Sequence, residues 1–198
     1  EQIAERDLFV HFPYDSFADS VERLLDEAAD DPQVAAIKVT LYRTSSDSAI
    51  VTALERARRN GKDAVAMVEL KASFDEQRNI AWARSLEEAG IRVVFSPPKY
   101  KVHAKVALVL RREGDELRRY AYIGTGNLNA KTAATYIDVG ILTADPVLTQ
   151  EVNSIFNLLT GYTANAEVDR LLVSPFNMRR RLLRMIDREI EHARAGRT

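Results

Sequence analysis

The chain has 198 residues, 46% hydrophobic and 29% charged, with 28 basic and 29 acidic side chains giving a formal net charge of −1. This is globular rather than disordered or fibrous composition, and the mixed, near-neutral charge lacks the general basic footprint of a duplex-DNA binder. Zero cysteine excludes thiolate catalysis, cysteine-based zinc sites and a disulfide framework, and a chain of this length buries about 70% of its surface without such staples.

In chain order, the first structured unit begins at Ala35–Tyr42 (AAIKVTLY), whose apolar and β-branched residues predict a strand. Ile50–Arg59 follows with helical spacing and stops at Asn60-Gly61. The unit then repeats: Ala64–Leu70 as strand, Asp75–Ala89 as a helix ended by Gly90, and Ile91–Phe95 as strand. Two β-α-β crossovers predict a parallel sheet with helices packed on it.

After Pro97-Pro98 the pattern changes. Ala104–Leu110 and Arg119–Ile123, joined by a charged Gly-containing turn, predict an antiparallel hairpin. Tyr136–Leu142 predicts another strand, and Pro146–Leu159 a helix closed by Gly161. The tail ends in a basic helix in which Leu182, Leu183, Ile186 and Ile190 form an apolar stripe. That stripe either packs on its own domain or bridges to a further one, its basic face lying along the path of an anionic substrate.

Chemistry concentrates around one of the three histidines. Lys99, Lys101, His103 and Lys105 lie within seven residues and make a local anion site in a near-neutral protein. If the strand includes them, His103 and Lys105 share a face, because alternate residues in a strand point the same way. Gly124-Thr125-Gly126-Asn127-Leu128-Asn129 follows the next strand, and its glycines allow backbone N–H groups to approach a phosphate. A plain hairpin turn accounts for that segment equally well.

H-x-K followed by G-[ST]-G-N resembles the half-site of the phospholipase D superfamily, which implies an α/β fold: a phospholipase D-like mixed sheet flanked by helices, with the C-terminal basic helix appended. The Asp that the superfamily normally carries after H-x-K is replaced by Leu110. This counts against a phosphodiesterase acting on lipid or nucleic acid. The superfamily also usually faces two such half-sites, and this chain has one.

A longer resemblance is to type 1 polyphosphate kinases. It runs through His11–Phe17 (HFPYDSF), Ile37–Thr44 (IKVTLYRT), Val68–Ala72 with Phe74-Asp75-Glu76, Lys101–Lys105 (KVHAK), Gly124–Asn129, Phe156–Tyr162 (FNLLTGY) and Pro175-Phe-Asn-Met-Arg-Arg. The motifs are collinear and cover nearly the whole chain.

The resemblance implies reversible transfer of the terminal phosphate of ATP to polyphosphate. His103 would be the phosphohistidine nucleophile, with Lys105 a neighbouring cation. Arg43 would serve the phosphate and magnesium site, Tyr136 the nucleotide site, and Asn127 and Asn129 would hold phosphate oxygens or cap the turn. Members of the family carry Arg at the position of Ser73, so metal or phosphate binding there is expected to be weaker. Mg2+ is the implied cofactor, with ATP or ADP as nucleotide substrate.

The implied layout is an N-terminal lead-in (1–20), a phospholipase D-like catalytic domain (21–165), and a linker and helix (166–198) leading to a second catalytic domain. The first residue is Glu, which predicts a piece of a longer protein, inactive or weakly active alone. Expected partners are ATP, inorganic polyphosphate, the remaining domains of the enzyme and further copies in a homo-oligomer, with no nucleic acid. No apolar run approaches the ~20 residues of a membrane span, so a cytoplasmic address is expected, compatible with peripheral membrane association. Two other readings stand beside this one: a phospholipase D-like phosphodiesterase, and a non-catalytic polyanion-binding module, for which Ser73 is the only support.

Overall fold

The computed structural model describes residues 2–41, 48–69, 76–96 and 101–197, with the backbone alone at 76–81. In chain order the elements are α1 (Gln2–Glu5), β1 (Leu8–Phe12), a π-helical turn (Ala18–Glu22) running into α2 (Arg23–Asp30), β2 (Val34–Leu41), α3 (Ala49–Arg59), β3 (Asp63–Val68), α4 (Glu76–Glu88) and β4 (Arg92–Phe95). Then come β5 (Lys105–Glu113), β6 (Glu116–Gly124), α5 (Ala130–Ala133), β7 (Asp138–Thr143), α6 (Pro146–Leu159) and α7 (Met178–Arg194).

The expected crossovers form as read: β2, β3 and β4 pair in parallel. Gly61 and Gly90, with φ of 77° and 80°, end α3 and α4 in the left-handed region that glycine enters at no steric cost. The β5–β6 hairpin is antiparallel over its full length, and β5 also pairs antiparallel with β2. The described strands therefore make one mixed sheet in the order β1-β7-β6-β5-β2-β3-β4.

Two elements go beyond the sequence reading. The lead-in contributes β1, which pairs antiparallel with β7 and forms one edge of the sheet. α2 buries Val21 of the preceding turn with its own Leu25, Ala28 and Ala29.

The pleat sorts side chains to two faces. On one, Ile37, Val39 and Leu41 of β2 and Ala64, Ala66 and Val68 of β3 pack with Ile50, Leu54 and Ala57 of α3 and Leu25 and Ala29 of α2. On the other, Val106, Leu108 and Ala121 pack under Val152 and Phe156 of α6. Leu110 adds to this smaller core, so the superfamily's Asp position is filled by a packing residue.

Asp145 caps α6 by accepting from the N–H groups of Val147 and Leu148 at 2.9 and 2.8 Å, with Pro146 in the first turn. From α6, the buried Glu151 accepts the N–H groups of Asp169, Arg170 and Leu171 at 2.8, 2.9 and 2.7 Å, tying the following segment down.

Of the two readings of the C-terminal stripe, packing on its own domain does not hold. α7 has no buried residue, and Leu182, Leu183, Ile186 and Ile190 are 43–55% exposed.

Candidate active site

One end of the sheet collects His103, Lys105, the glycine-rich loop and Tyr136. β2, β3 and β4 finish there at Leu41, Val68 and Phe95, and on the same side β5 begins at Lys105, β6 ends at Gly124 and β7 begins at Asp138. In open α/β sheets this carboxyl end of the parallel strands is where ligands sit, since the loops that leave it are free to vary.

The segment carrying His103 is held from below by an acid. Glu69, 3% exposed just past β3, accepts the N–H of Val102 at 2.7 Å through Oε2 and the hydroxyl of Ser96 at 3.1 Å through Oε1. Val102 is itself buried. Thr40 of β2 then closes the start of β5, its hydroxyl accepting from the N–H of Val106 at 3.0 Å and donating to its carbonyl at 3.2 Å.

This segment departs from the sequence expectation at one point. His103 precedes β5 rather than lying in it, because the 101–104 backbone turns down toward Glu69 instead of joining the β2 ladder. Lys105 is the first strand residue and is 6% exposed, whereas His103 is exposed. The imidazole is thus presented to solvent above a buried ammonium.

Their charges still couple. The Lys105 cation, then partial burial, then Lys101 hold the His103 imidazolium below its ordinary pKa. Burial in turn lowers the Lys105 pKa, partly offset by the Asp138 carboxylate. His103 is therefore biased toward the neutral ring that has a lone pair to offer.

The glycine-rich loop is shaped by close approaches beneath it. A Cβ on Gly124 would lie 2.1 Å from the Tyr122 hydroxyl, and one on Gly140 would lie 2.4 Å from its ring. These glycines make room for the buried Tyr122, whose phenol is pushed up to about 12 by burial and by the Asp138 charge. A Cβ on Gly126 would meet the Asp138 carboxylate at 2.4 Å. Asp138 also accepts the Thr125 hydroxyl at 2.7 Å, and Thr125 and Val139 exchange further bonds, so the loop is fixed to the start of β7.

Beyond the loop, the Asn129 side-chain oxygen accepts the N–H groups of Lys131 and Thr132 at 2.9 and 3.2 Å, which makes it the cap of the short α5. Asn127 differs: its Oδ1 is buried and accepts no hydrogen bond among the described residues. Tyr136 follows α5 and is 63% exposed, which excludes core packing as its role and leaves it at the same rim.

Arg43 and Ser73 lie outside the described residues. Glu69, Tyr122 and Asp138 are absent from the residues the sequence singled out. Two of them leave a trace there, as single carboxylates at the ends of otherwise apolar strands.

The family model described as "Polyphosphate kinase C-terminal domain 1" matches residues 1–165. Among curated relatives, polyphosphate kinase of Thermosynechococcus vestitus is 53% identical over 194 residues, covering 98% of this chain and 26% of its own length. That of Mycolicibacterium gilvum is 52% identical over 194 residues, covering 98% and 27%. The chain therefore spans about a quarter of the length of these relatives.

The crystal structure of polyphosphate kinase from Porphyromonas gingivalis superposes with a TM-score of 0.89 at 40% identity, over 99% of this chain and 33% of that one. A phospholipase D family member, Nuc from Salmonella typhimurium, superposes at 0.58 and 16% identity over 78% of this chain, a likeness of fold.

Proposed function

The chain belongs to the polyphosphate kinase family, through its C-terminal domain 1, and from that premise we propose that it carries the phosphoryl-accepting half of an ATP–polyphosphate phosphotransferase. The observation that carries this reading is the exposed imidazole of His103, whose protonation the Lys105 charge disfavours and whose segment Glu69 anchors through the Val102 N–H.

A ring nitrogen of His103 attacks the γ-phosphorus of ATP. The N–P bond forms as the bond to the bridging oxygen of ADP breaks, and ADP leaves with that electron pair. The phosphohistidine then gives its phosphoryl group to the terminal oxygen of polyphosphate, regenerating the imidazole. Both bonds are of high transfer potential, so the sequence runs in either direction.

Phosphoryl transfer asks chiefly for positioning and for cancellation of charge on the equatorial oxygens. Lys101 and Lys105 supply part of that positive field, and Arg43 a further fork. Asn127 offers a side chain whose oxygen is engaged by no described residue, and Tyr136 an exposed ring at the nucleotide end.

The described residues fit the implied Mg2+ as an ion carried by ATP. Among the described residues no group of three or more acidic or imidazole side chains could cage a metal, and Mg2+ commonly keeps its waters and binds through substrate phosphates. There it would neutralise charge on the β- and γ-oxygens. Ser73, lacking the charge of Arg, would bind metal-linked phosphate less tightly than its counterpart in relatives.

The unburied stripe of α7 supports a chain that continues onto further domains, with turnover requiring them. The test uses an enzyme-length protein that carries this chain. Incubation with γ-labelled ATP and magnesium is expected to give acid-labile, base-stable label that His103→Ala abolishes. Label surviving that substitution, or phosphodiester hydrolysis with no label at all, would remove the assignment.

A further inference from the structure

α6 ends at Leu159 and α7 begins at Met178, and no helix or strand lies between them. Irregular stretches longer than about 12–15 residues are uncommon in compact domains, where they serve as working loops or as loose linkers. The two uses differ in where the backbone hydrogen bonds go. A loose linker leaves its N–H groups to water, whereas the second half of this stretch is bonded to two buried polar side chains.

The first is Glu151 of α6, 6% exposed, whose carboxylate takes the N–H groups of Asp169, Arg170 and Leu171. The second is Asn177, 7% exposed, the residue before α7. Its Oδ1 accepts the N–H of Val173 at 2.6 Å, and its Nδ2 donates to the carbonyls of Val168 at 3.2 Å and Leu171 at 2.9 Å. Its own carbonyl accepts the N–H of Arg181 at 3.0 Å and so opens α7.

Leu171 joins the two. Its N–H goes to Glu151, its carbonyl to Asn177, and its side chain packs against the smaller core under α6. A continuous path of hydrogen bonds therefore runs from α6 through Leu171 into the first turn of α7. Arg181 adds an outer tie, meeting Asp169 at 3.4 Å.

Charge favours this closed form. Burial opposes ionisation of Glu151, but the N–H groups of Arg170, Leu171 and Asp169, and then the Arg181 charge, outweigh it and hold the carboxylate below its ordinary range. An ionised acceptor strengthens each of those bonds, and leaving the N–H groups without it would be costly. α7 buries none of its own residues. The bonds at its start, rather than packing along its length, set its direction.

We propose that Glu151 and Asn177 are positioning residues, which clasp the 168–177 segment into a rigid strut and hold α7 in one orientation to the sheet. The inference rests on the reading above that turnover draws on further domains, and extends it by naming the residues that set their place relative to His103.

The test is a distance measurement by double electron–electron resonance. The chain has no cysteine, so Arg59→Cys on α3 and Glu191→Cys on α7, both exposed positions, carry the only spin labels. One narrow distance distribution is expected. Glu151→Ala and Asn177→Ala should at least double its width, and Glu151→Gln, which keeps an acceptor oxygen, should fall between. A control pair across the sheet, Arg59→Cys with Gln150→Cys on α6, should stay narrow throughout. In enzyme-length protein the same clasp substitutions should lower kcat for polyphosphate formation about tenfold or more, in the order of the widths, since small misplacements cost heavily.

A broad distribution in the parent chain overturns the proposal, as do widths or rates that the substitutions leave unchanged. Broadening of both label pairs together also overturns it, because the clasp would then hold the domain together rather than aim α7. The distances are read without turnover. A rigid α7 in a protein that never labels His103 sinks the transfer reading alone, and a labelled His103 beside a swinging α7 sinks this one alone.

Discussion

At the scale of single residues, the account turns on how His103 is kept ready. Its pKa lies below the ordinary imidazole value, chiefly because Lys105 is positive. Protonation removes the nucleophilic lone pair, so labelling falls with acid, and the depressed pKa places that fall below pH ~6.5. Taking away the positive neighbour makes protonation easier. Lys105→Gln is therefore expected to move the acid limb of a pH–labelling profile upward, toward 6.5, and a limb that stays in place would deny the coupling. The glycines carry a separate prediction. A methyl at Gly124 or Gly140 drives into the Tyr122 ring, so Gly124→Ala and Gly140→Ala should each lose roughly 1–3 kcal/mol in chemical denaturation.

At the scale of elements, the site depends on segments far apart in sequence. Glu69, at the end of β3, holds the backbone of Val102 across 33 residues. Glu69→Ala is expected to lower the rate of His103 labelling by about tenfold or more while leaving the ring intact, since small misplacements cost phosphoryl transfer heavily. A rate unchanged by that substitution would mean that the loop holds its shape without the acid.

This is also where the sequence reading reaches its limit. The β-branched runs of β2, β3 and β4, the helix stops at Gly61 and Gly90, and the β5–β6 hairpin are local signals and are legible. β1 is not, because LFVHF is short, carries a histidine and runs into Pro13, and only its register against β7 makes it a strand. The sequence reading also passes over α2, although Val21, Leu25 and Ala28 have helical spacing. His103, Lys105 and the glycine loop stand out by composition. Glu69 and Asp138 acquire their roles only when distant strands set them beside Val102 and Thr125.

At the scale of the molecule, one end of the sheet would react while both of its faces are packed. The edge is formed by the carboxyl ends of β2 to β4 and the adjoining ends of β5 to β7. α6 stands over the smaller core, and α7 leaves an uncovered apolar stripe. The chain spans about a quarter of its relatives' length, and the account accordingly expects the 198 residues alone to turn over far more slowly than an enzyme-length protein, in a side-by-side assay of polyphosphate formation.

The most direct test of the central claim is a chase. Enzyme-length protein is labelled from γ-labelled ATP, freed of nucleotide, and mixed in a single turnover with either ADP or unlabelled polyphosphate. The account predicts that the label leaves His103 for both acceptors, appearing as ATP in one tube and in the polymer in the other. Label that remains on the protein, or that departs only as inorganic phosphate, would contradict it.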